Sequence, residues 1–414
     1  MKKSVFRPAD ILIPNNHISH NLWSVIACDQ FSSEREYWQN VKKAVGSNPS
    51  TLNMIIPEAY LNEINEDNEI NKISMTMEGY ISQGLFKEIK NSYIYVERTL
   101  SDGSIRKGLV GIVDLEEYDF LNPYSEANGA AIIASEGTAI DRLPPRIRIR
   151  TASLLEVPHV MTLIADINKS VIEPLESKAC DLPLLYDVDL MEGGGRIKGF
   201  QVSGNLAEKV EKTLQELHTY SEENSKCFMI MGDGNHSLAA AKTYWDKIKP
   251  NLNYKMQEIH PARFALLEVN NIYDTAVKFE AIHRVLFNVD NEQFVDALKK
   301  SIPYGNDYEI KILSSGKSEN YSLSASSTGN VIEVVQVFID DYIQKNGGNI
   351  DYIHDINAVE KLAENEDCIG IVLPTISKAE FFEAVADNGA FPRKSFSIGH
   401  ARDKRYYMEC RKIK

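Results

Sequence analysis

The sequence predicts a mixed α/β fold, of the α+β kind, in which helices and strands alternate along the chain. Segments with apolar residues at helical spacing alternate with short apolar or alternating runs, and no repeat of fixed period is visible. In 414 residues, 43% are hydrophobic and 25% are charged, which is typical of a globular protein. We therefore expect a chain that is folded over nearly its whole length.

The first elements are a buried strand and a helix. The apolar run 23–28 predicts a strand, with Asp29 and Gln30 at its end, and a helix is expected over 34–45. Polar residues at the end of a buried strand often lie in a site. Since such residues are also plain turn formers, both interpretations stay open for Asp29 and Gln30.

Two hairpins follow. Their turns are Ser101–Ser104, where Asp-Gly supplies the positive φ of a tight turn, and Gly193–Gly195. The strands that they join are 93–98 with 107–114, and 184–189 with 196–202.

A basic segment at 134–150 lies between the hairpins and is expected to be extended. Its four arginines, which fall within nine residues, are Arg142, Arg146, Arg148 and Arg150. Pro144-Pro145 precedes the last three of them. One interpretation is an exposed edge strand whose arginines pair with local acids. The other is a clamp for a phosphate or carboxylate, since guanidinium groups bind such anions bidentately.

A helix over 206–220, capped by Asn205, precedes the most informative segment. Cys227–Met231 is a continuous apolar run, as expected of a strand buried on both faces. The Gly232–Ser237 loop comes next, and 238–245 predicts an alanine-rich helix. The order is therefore strand, glycine-rich loop and helix.

The remaining elements predict a C-terminal α/β domain. A strand at 262–269, a helix near Ala276 and the polar group Ile282–Arg284 come first. Beyond them the pattern predicts helices at 293–300, 331–345 and 378–388 and strands at 308–313, 321–325, 352–354, 369–373 and 406–410. We expect three regions, which are 1–130, 131–290 and 291–414.

Charge and cysteine content exclude several classes of protein. Lys and Arg total 45 against 59 Asp and Glu, a net charge of −14 that disfavours DNA or RNA as a partner. The five cysteines form no Cys-x-x-Cys pair, and His17-x-x-His20 lacks further ligands, so neither disulfides nor zinc are indicated.

Arg7 and Pro8 interrupt any signal peptide opened by Met1–Lys3, and no apolar run is long enough to span a membrane. We expect a cytoplasmic protein.

The Gly232–Ser237 loop is the candidate site. A strand, a glycine-rich turn and a helix bring backbone N–H groups and the positive end of a helix dipole to one point, which favours an anion. Gly232 and Gly234 permit close approach, Asp233 and Asn235 can order the turn, and His236 can donate to a phosphate oxygen or exchange a proton. The alternative is that the loop is simply a good turn.

The loop and several other segments also resemble known families. Asp233–His236 with Ser237–Ala241 resembles the Asp-Gly-(Asn/His)-His-Arg-x-x-Ala-Ala box of the ParB and sulfiredoxin-like superfamily. The whole chain resembles the uncharacterised bacterial family called domain of unknown function 1015. Its matching segments are Phe6–Ala9 with Val25–Gln30, Glu136–Thr138 with Asp141–Arg146, Gly232–His236, and Pro392–Ser395.

The resemblance implies a ParB/sulfiredoxin-like core with additional N-terminal and C-terminal α/β parts, and a box at the phosphates of a nucleotide. The expected ligand is a phosphorylated small molecule, with ATP, ADP or CTP and Mg²⁺ as candidates. The expected function is a nucleotide- or phosphate-binding enzyme, either a phosphotransferase acting on a small polar metabolite or a nucleotide hydrolase. Ser237 stands where the superfamily has Arg, so another arginine is needed or the nucleotide chemistry is weakened. A non-catalytic ligand-binding or regulatory protein is therefore the alternative, and a ParB-like DNA-associated protein is a second one that the charge opposes.

The candidate residues follow from the loop, the basic segment and this resemblance. His236, Asp233 and Glu136 are the catalytic candidates, although Glu136 could equally be a salt-bridged surface acid. The phosphate or nucleotide candidates are Gly232, Gly234, Asn235, Ser237, Thr138, Arg142, Arg146, Arg284 and Arg393. The substrate candidates are Asp29, Gln30 and His283, and a buried pair explains His283 and Arg284 equally well. The metal and the oligomeric state, including a homo-oligomer, stay open.

Overall fold

A computed structural model describes residues 4–61, 63–121, 130–224 and 226–414. The start of the chain considered as a signal peptide, Met1–Lys3, lies outside these residues. The helices are α1 (His20–Trp23), α2 (Arg35–Val45), α3 (Glu66–Ser82), α4 (Leu143–Ala152), α5 (Glu173–Glu176), α6 (Gly204–Glu223), α7 (Asn235–Ile248), α8 (Tyr254–Ile259), α9 (Asn291–Ser301), α10 (Thr328–Asn346), α11 (Ile356–Leu362) and α12 (Lys378–Asn388).

Strands and helices alternate, and the predicted mixed α/β class is confirmed. The strands are β1 (Phe6–Arg7), β2 (Ala9–Pro14), β3 (Phe86–Thr99), β4 (Ile105–Asp114), β5 (Tyr118–Asp119), β6 (Ile132–Ile133), β7 (Leu155–Glu156), β8 (Met161–Ile164), β9 (Leu184–Asp189), β10 (Arg196–Val202), β11 (Met229–Asp233), β12 (Phe264–Asn271), β13 (Phe279–Ala281), β14 (His283–Phe287), β15 (Tyr304–Ser314), β16 (Lys317–Leu323), β17 (Asn349–Ile353), β18 (Cys368–Val372), β19 (Phe396–Ile398) and β20 (Arg411–Lys412).

The chain divides into two compact units. Unit 1 contains Met1–Ala134, Thr138–Val277 and Ala401–Lys414, and unit 2 contains Ser135–Gly137 and Lys278–His400. These bounds differ from those of the three regions expected from sequence, and that three-region division stays a prediction. The described residues include no helix long and apolar enough to cross a lipid bilayer.

Unit 1 is built on one large mixed sheet. Its strand order is β5-β6-β11-β8-β12-β4-β3-β10-β9, with β1 and β2 paired to β4 and β3. β11 lies between β6, to which it is parallel, and β8, to which it is antiparallel. Met229, Ile230 and Met231 are fully buried, as the apolar run predicted for a central strand.

Unit 2 has a smaller sheet. Its order is β16-β15-β18-β14-β17, and each neighbouring pair is antiparallel. β13 and β19 form a separate antiparallel pair. The predicted helices of this part of the chain are confirmed as α9, α10 and α12.

Both predicted hairpins are confirmed, as β3–β4 and β9–β10, and so is the helix over 34–45. The strand predicted at 23–28 is wrong, because α1 ends at Trp23 and only the isolated bridge Ile26–Tyr406 follows. The helix near Ala276 is also wrong. There the Asp274 carboxylate accepts from the Ala276 amide and holds a turn.

The expectation that the basic segment is extended is wrong as well. Residues 143–152 form α4, since Pro144 and Pro145 occupy its first turn, where a missing N–H costs nothing. Its arginines do pair with acids, Arg146 with Glu58 and Arg148 with Glu66. The predicted Asn205 cap is replaced by Ser203 at the start of α6.

Buried ion pairs connect the C-terminal segment, Ala401–Lys414, to the large sheet. Arg405 contacts Glu268 of β12 at 3.1 Å and Glu409 at 2.6 Å, and all three side chains are at most 2% exposed. The β4 residue Gly108 makes the room, because a Cβ there would lie 2.2 Å from the Glu268 carboxylate. Both buried carboxylates therefore pair with the same guanidinium.

Arg405→Leu is expected to destabilise unit 1 by about 3–5 kcal/mol, because it leaves two buried carboxylates unpaired. Arg148→Leu is the matched control, since that arginine is 47% exposed and its loss should cost less than about 1 kcal/mol. Urea unfolding of the two variants measures the difference. Similar losses for both variants would show that the buried pairs do not anchor the segment.

Candidate functional site

The Gly232–Ser237 loop turns from β11 directly into α7, as predicted. Gly234 is the residue before the helix and has left-handed torsions, φ 79° and ψ 26°. Its carbonyl accepts from the amides of Ser237 (3.0 Å) and Leu238 (3.1 Å). A Cβ at Gly234 would lie 3.0 Å from the Val160 Cα. Both the torsions and the space therefore require glycine here.

Asp233 holds a cation beside the loop. One carboxylate oxygen accepts from the Gly234 amide at 2.8 Å, and the other lies 3.1 Å from Lys404 Nζ. The Lys404 and Asp233 side chains are only 9% and 20% exposed. Lys404 thus supplies a positive charge beside Asp233. The sequence alone did not reveal Lys404, because it lies far along the chain, just before the strand predicted at 406–410. That predicted strand is wrong, because only the isolated bridges Ile26–Tyr406 and Leu12–Cys410 occur there.

His236 is oriented by the segment that follows Thr138. Its Nε2 accepts from the Ala139 amide at 3.2 Å, so a neutral ring carries its proton on Nδ1. The buried Thr138 hydroxyl has no hydrogen-bond partner among the described residues. The predicted site residues Thr138 and His236 therefore both lie in unit 1.

Ser237 leads to a second histidine that was not predicted from the sequence. Ser237 Oγ lies 3.3 Å from His159 Nε2, and His159 Nδ1 lies 2.9 Å from the Tyr407 hydroxyl. That hydroxyl accepts from the Cys28 amide at 3.0 Å, and burial raises the pKa of Tyr407 well above its usual value. Tyr407 therefore keeps its proton, and its hydroxyl is hydrogen-bonded to His159 Nδ1. His159 thus lies between Ser237 and Tyr407.

Asp29 completes this group. One of its oxygens lies 3.9 Å from His159 Nε2, and the other accepts from the Gln30 side-chain amide at 3.0 Å. Burial acts to raise the pKa of Asp29, but His159, the Gln30 amide and the charges of Lys404 and Arg146 outweigh it, so the pKa is lowered. Asp29 is therefore an ionised carboxylate at neutral pH. The predicted substrate residues Asp29 and Gln30 both lie in this group.

The loop and the basic segment share one cavity in unit 1. The cavity has a volume of about 160 Å³, and its wall includes Ser237, His159 and Tyr407 together with Arg146 of α4. Arg142, in contrast, is exposed, and its carbonyl accepts from Arg146. Within the described ranges, no group of three or more His, Cys, Asp and Glu side chains is arranged to hold a metal ion.

The other predicted residues belong to unit 2. The buried Glu136 carboxylate accepts from the Ser395 amide at 2.9 Å, and burial raises its pKa. His283 Nδ1 accepts from the Leu373 amide at 3.2 Å, and burial, followed by the charge of Arg284, lowers the pKa of His283. These contacts hold the backbone of unit 2, and the catalytic role of Glu136 stays a prediction.

The two unit 2 arginines differ in exposure. Arg284 is fully buried, donates to Gln336 at 3.1 Å and to the Lys394 carbonyl at 2.9 Å, and burial lowers its pKa to about 10. Arg393 is exposed and lines a cavity of about 440 Å³ together with Gly137. The predicted residues in unit 2 are thus Glu136, His283, Arg284 and Arg393. Those in unit 1 include the loop, Thr138, Asp29, Gln30 and Arg146.

Gly234→Ala is expected to destabilise the protein more than Gly84→Ala does. Both glycines have positive φ, 79° and 66°, which costs an L-residue about 1–2 kcal/mol. A Cβ at Gly84 meets nothing within 4 Å, whereas the Val160 contact at Gly234 adds about 1–3 kcal/mol. Equal midpoints in chemical denaturation would contradict the steric contact with Val160.

Cys28 lines the cavity but should not act as a nucleophile. Burial and the charge of Asp29 raise its pKa to about 11, so at pH 8 it stays a thiol, and only the thiolate reacts. Iodoacetamide at pH 8 should label the exposed Cys180 well before Cys28, as peptide mass spectrometry can measure. Faster labelling of Cys28 would show that its thiolate forms at pH 8.

Comparison with known proteins gives the family. The model of a family described as "Protein of unknown function (DUF1015)" matches residues 10–363. No curated protein matches the chain. Among solved structures it is similar to C-terminally truncated SbnI from Staphylococcus aureus, with 10% identity, 70% of this chain and 82% of that chain covered and a TM-score of 0.38.

It is also similar to a free serine kinase in complex with AMP, with 11% identity, 73% and 90% covered and a TM-score of 0.38. A conserved hypothetical protein from Pyrococcus furiosus has 14% identity, 50% and 88% coverage and a TM-score of 0.27. At these TM-scores, activity must be argued from the chain's own residues, and the ParB/sulfiredoxin-like core stays a prediction. The family match, in contrast, covers most of the sequence, and the chain belongs to the DUF1015 family of proteins of unknown function.

Proposed function

We propose that unit 1 binds a nucleotide or another phosphorylated small molecule where β11 meets α7, and transfers a phosphoryl group from it to a small acceptor. The observation that carries this proposal is that a single loop joins two sets of groups. At one end, Asp233 holds Lys404 at 3.1 Å, and at the other, Ser237 contacts His159, which lies 3.9 Å from Asp29. The loop therefore has a cation at Asp233, and His159 connects Ser237 to an ionised carboxylate.

The anion-binding end consists of backbone, dipole and cation. α7 is 14 residues long, so its first turn carries the positive end of a full helix dipole. Lys404 can neutralise a phosphate oxygen while it remains near Asp233. His236 lies in the first turn of α7. These groups favour phosphate over a neutral ligand.

The other end suits phosphoryl transfer. In that reaction the acceptor oxygen forms a bond to phosphorus, the bond from phosphorus to the bridging oxygen breaks, and the acceptor proton leaves to a base. Positioning and charge neutralisation supply most of the rate enhancement, and a carboxylate orients the acceptor hydroxyl. We assign that carboxylate to Asp29, because its lowered pKa keeps it ionised and His159 lies beside it. Mg²⁺ bound with a nucleotide needs only one or two carboxylates, and Asp233 would have to release Lys404 to be one of them.

A second candidate is a ligand-binding protein without turnover. The observation that favours it is that Ser237 replaces the Arg of the superfamily box and that its hydroxyl contacts His159. A bound nucleotide would then stay intact over long incubation. Turnover that depends on Asp29 would exclude this alternative.

The test is a thermal shift with ATP, ADP or CTP and Mg²⁺, followed by a product assay with hydroxyl-bearing metabolites. At about 100 times Kd, a nucleotide should stabilise the protein by about 2.7 kcal/mol. Lys404→Met and His236→Ala should reduce the shift. Asp29→Asn should keep the shift but lower turnover by about 10²–10⁴-fold, because it removes only the group that orients the acceptor.

The control variant is Asp246→Asn on the same helix, whose side chain is 49% exposed and pairs with Lys242. It should behave like the unmodified protein in both assays. If no nucleotide raises the melting temperature, the proposed function loses its support. If Asp29→Asn turns over at the normal rate, the assignment of the carboxylate fails.

A further inference from the structure

We infer that the 160 Å³ cavity of unit 1 holds the apolar body of the phosphoryl acceptor, which is therefore an alcohol with a small aliphatic or aromatic group. This inference rests on the proposed function, since it names the substrate class of the same site. The observation behind it is a chamber of apolar residues whose wall also contains Ser237 and His159.

The wall of the cavity is mainly apolar. It is formed by methionine, isoleucine, leucine and alanine side chains from several elements, among them Met54, Met77, Ile149, Leu155, Ala240 and Leu266. Each of these residues is buried or half-buried, so the chamber belongs to the interior of unit 1. Burial of a hydrocarbon group against such a surface is favourable, whereas burial of a charged metabolite is not.

The volume suits a group the size of a six-membered ring. Apolar cavities of roughly 150 Å³ in proteins remain dry and bind benzene or xenon. A cavity of about 160 Å³ therefore accommodates a ring or a branched chain of similar bulk. A larger amphiphile would leave most of its carbon outside.

Hydrogen bonding separates this occupant from a nucleobase. The Ser153 hydroxyl on the wall donates to the Ile149 carbonyl at 2.8 Å, and Glu156 accepts from Arg411 at 2.6 Å and pairs with Arg150 at 2.8 Å. The Ser153 hydroxyl and both Glu156 oxygens are therefore already engaged. Arg150 Nε is a buried donor without a hydrogen-bond partner among the described residues, and one N–H does not replace the several hydrogen bonds that a base makes in water. A base would lose the hydrogen bonds of its edges on entry, which is costly, whereas a hydrocarbon group has none to lose.

The polar end of the chamber determines where the hydroxyl lies. Ser237 and His159 are on the wall, and Asp29 lies 3.9 Å from His159 Nε2. An acceptor with its apolar group in the chamber thus presents its hydroxyl to the residues that orient it, close to the start of α7. Its oxygen can then attack the phosphorus while its proton passes to Asp29.

The experiment measures binding of benzyl alcohol to the intact protein by thermal shift and by ligand-observed NMR, with glycerol as the polar comparison. Benzyl alcohol should bind saturably and glycerol should not. Ala240→Leu and Ala265→Leu, which fill the chamber from α7 and from β12, should each weaken benzyl alcohol at least about tenfold and leave the ATP shift unchanged.

The matched control is Ala44→Leu, the same substitution at an exposed position of α2, which should bind benzyl alcohol normally. Two filling variants are used because one of them could fail to fold. If the protein is stabilised by ATP but benzyl alcohol does not bind, or binds equally to folded filling variants, the inference is overturned and the proposed function stands. If benzyl alcohol binds in the chamber but no nucleotide binds, the acceptor role falls with the proposed function.

Discussion

The contact between Arg405 and Glu268 holds the C-terminal segment inside unit 1, and the candidate site depends on it. Both side chains are 2% exposed, and Glu409 shares the same guanidinium. Burying three charges is costly unless each is paired, so the segment has few alternative positions once Arg405 is in place. The neighbours of Arg405 in sequence are consequently fixed as well.

Those neighbours supply the site. Lys404, one residue before Arg405, pairs with Asp233 of the Gly232–Ser237 loop, and Tyr407, two residues after Arg405, is hydrogen-bonded to His159. The buried pairs of Arg405 thus also fix a cation beside Asp233 and a hydrogen-bond partner of His159 on the wall of the cavity. The loop therefore has a positive charge beside it although residues 232–237 contain no Lys or Arg.

The parts of the fold that could be predicted from the sequence are those whose cause is local. Asp102-Gly103 determines a hairpin turn, and the apolar run before Gly232 determines a strand buried on both faces. Predictions failed where the environment decides. The run 23–28 is buried without a sheet ladder, and Pro144-Pro145 begins a helix that we expected to be extended. His159 and Lys404 could not be predicted, because only tertiary contacts bring them to the loop.

We propose that the start of α7, with Lys404 beside it, binds a phosphate group. The decisive experiment for this claim is a crystal structure of the intact chain grown with a non-hydrolysable ATP analogue. We predict electron density for the terminal phosphates at the first turn of α7, within hydrogen-bonding distance of Lys404 Nζ. Phosphates bound elsewhere, or a first turn of α7 closed to the analogue at saturating concentration, would contradict the claim.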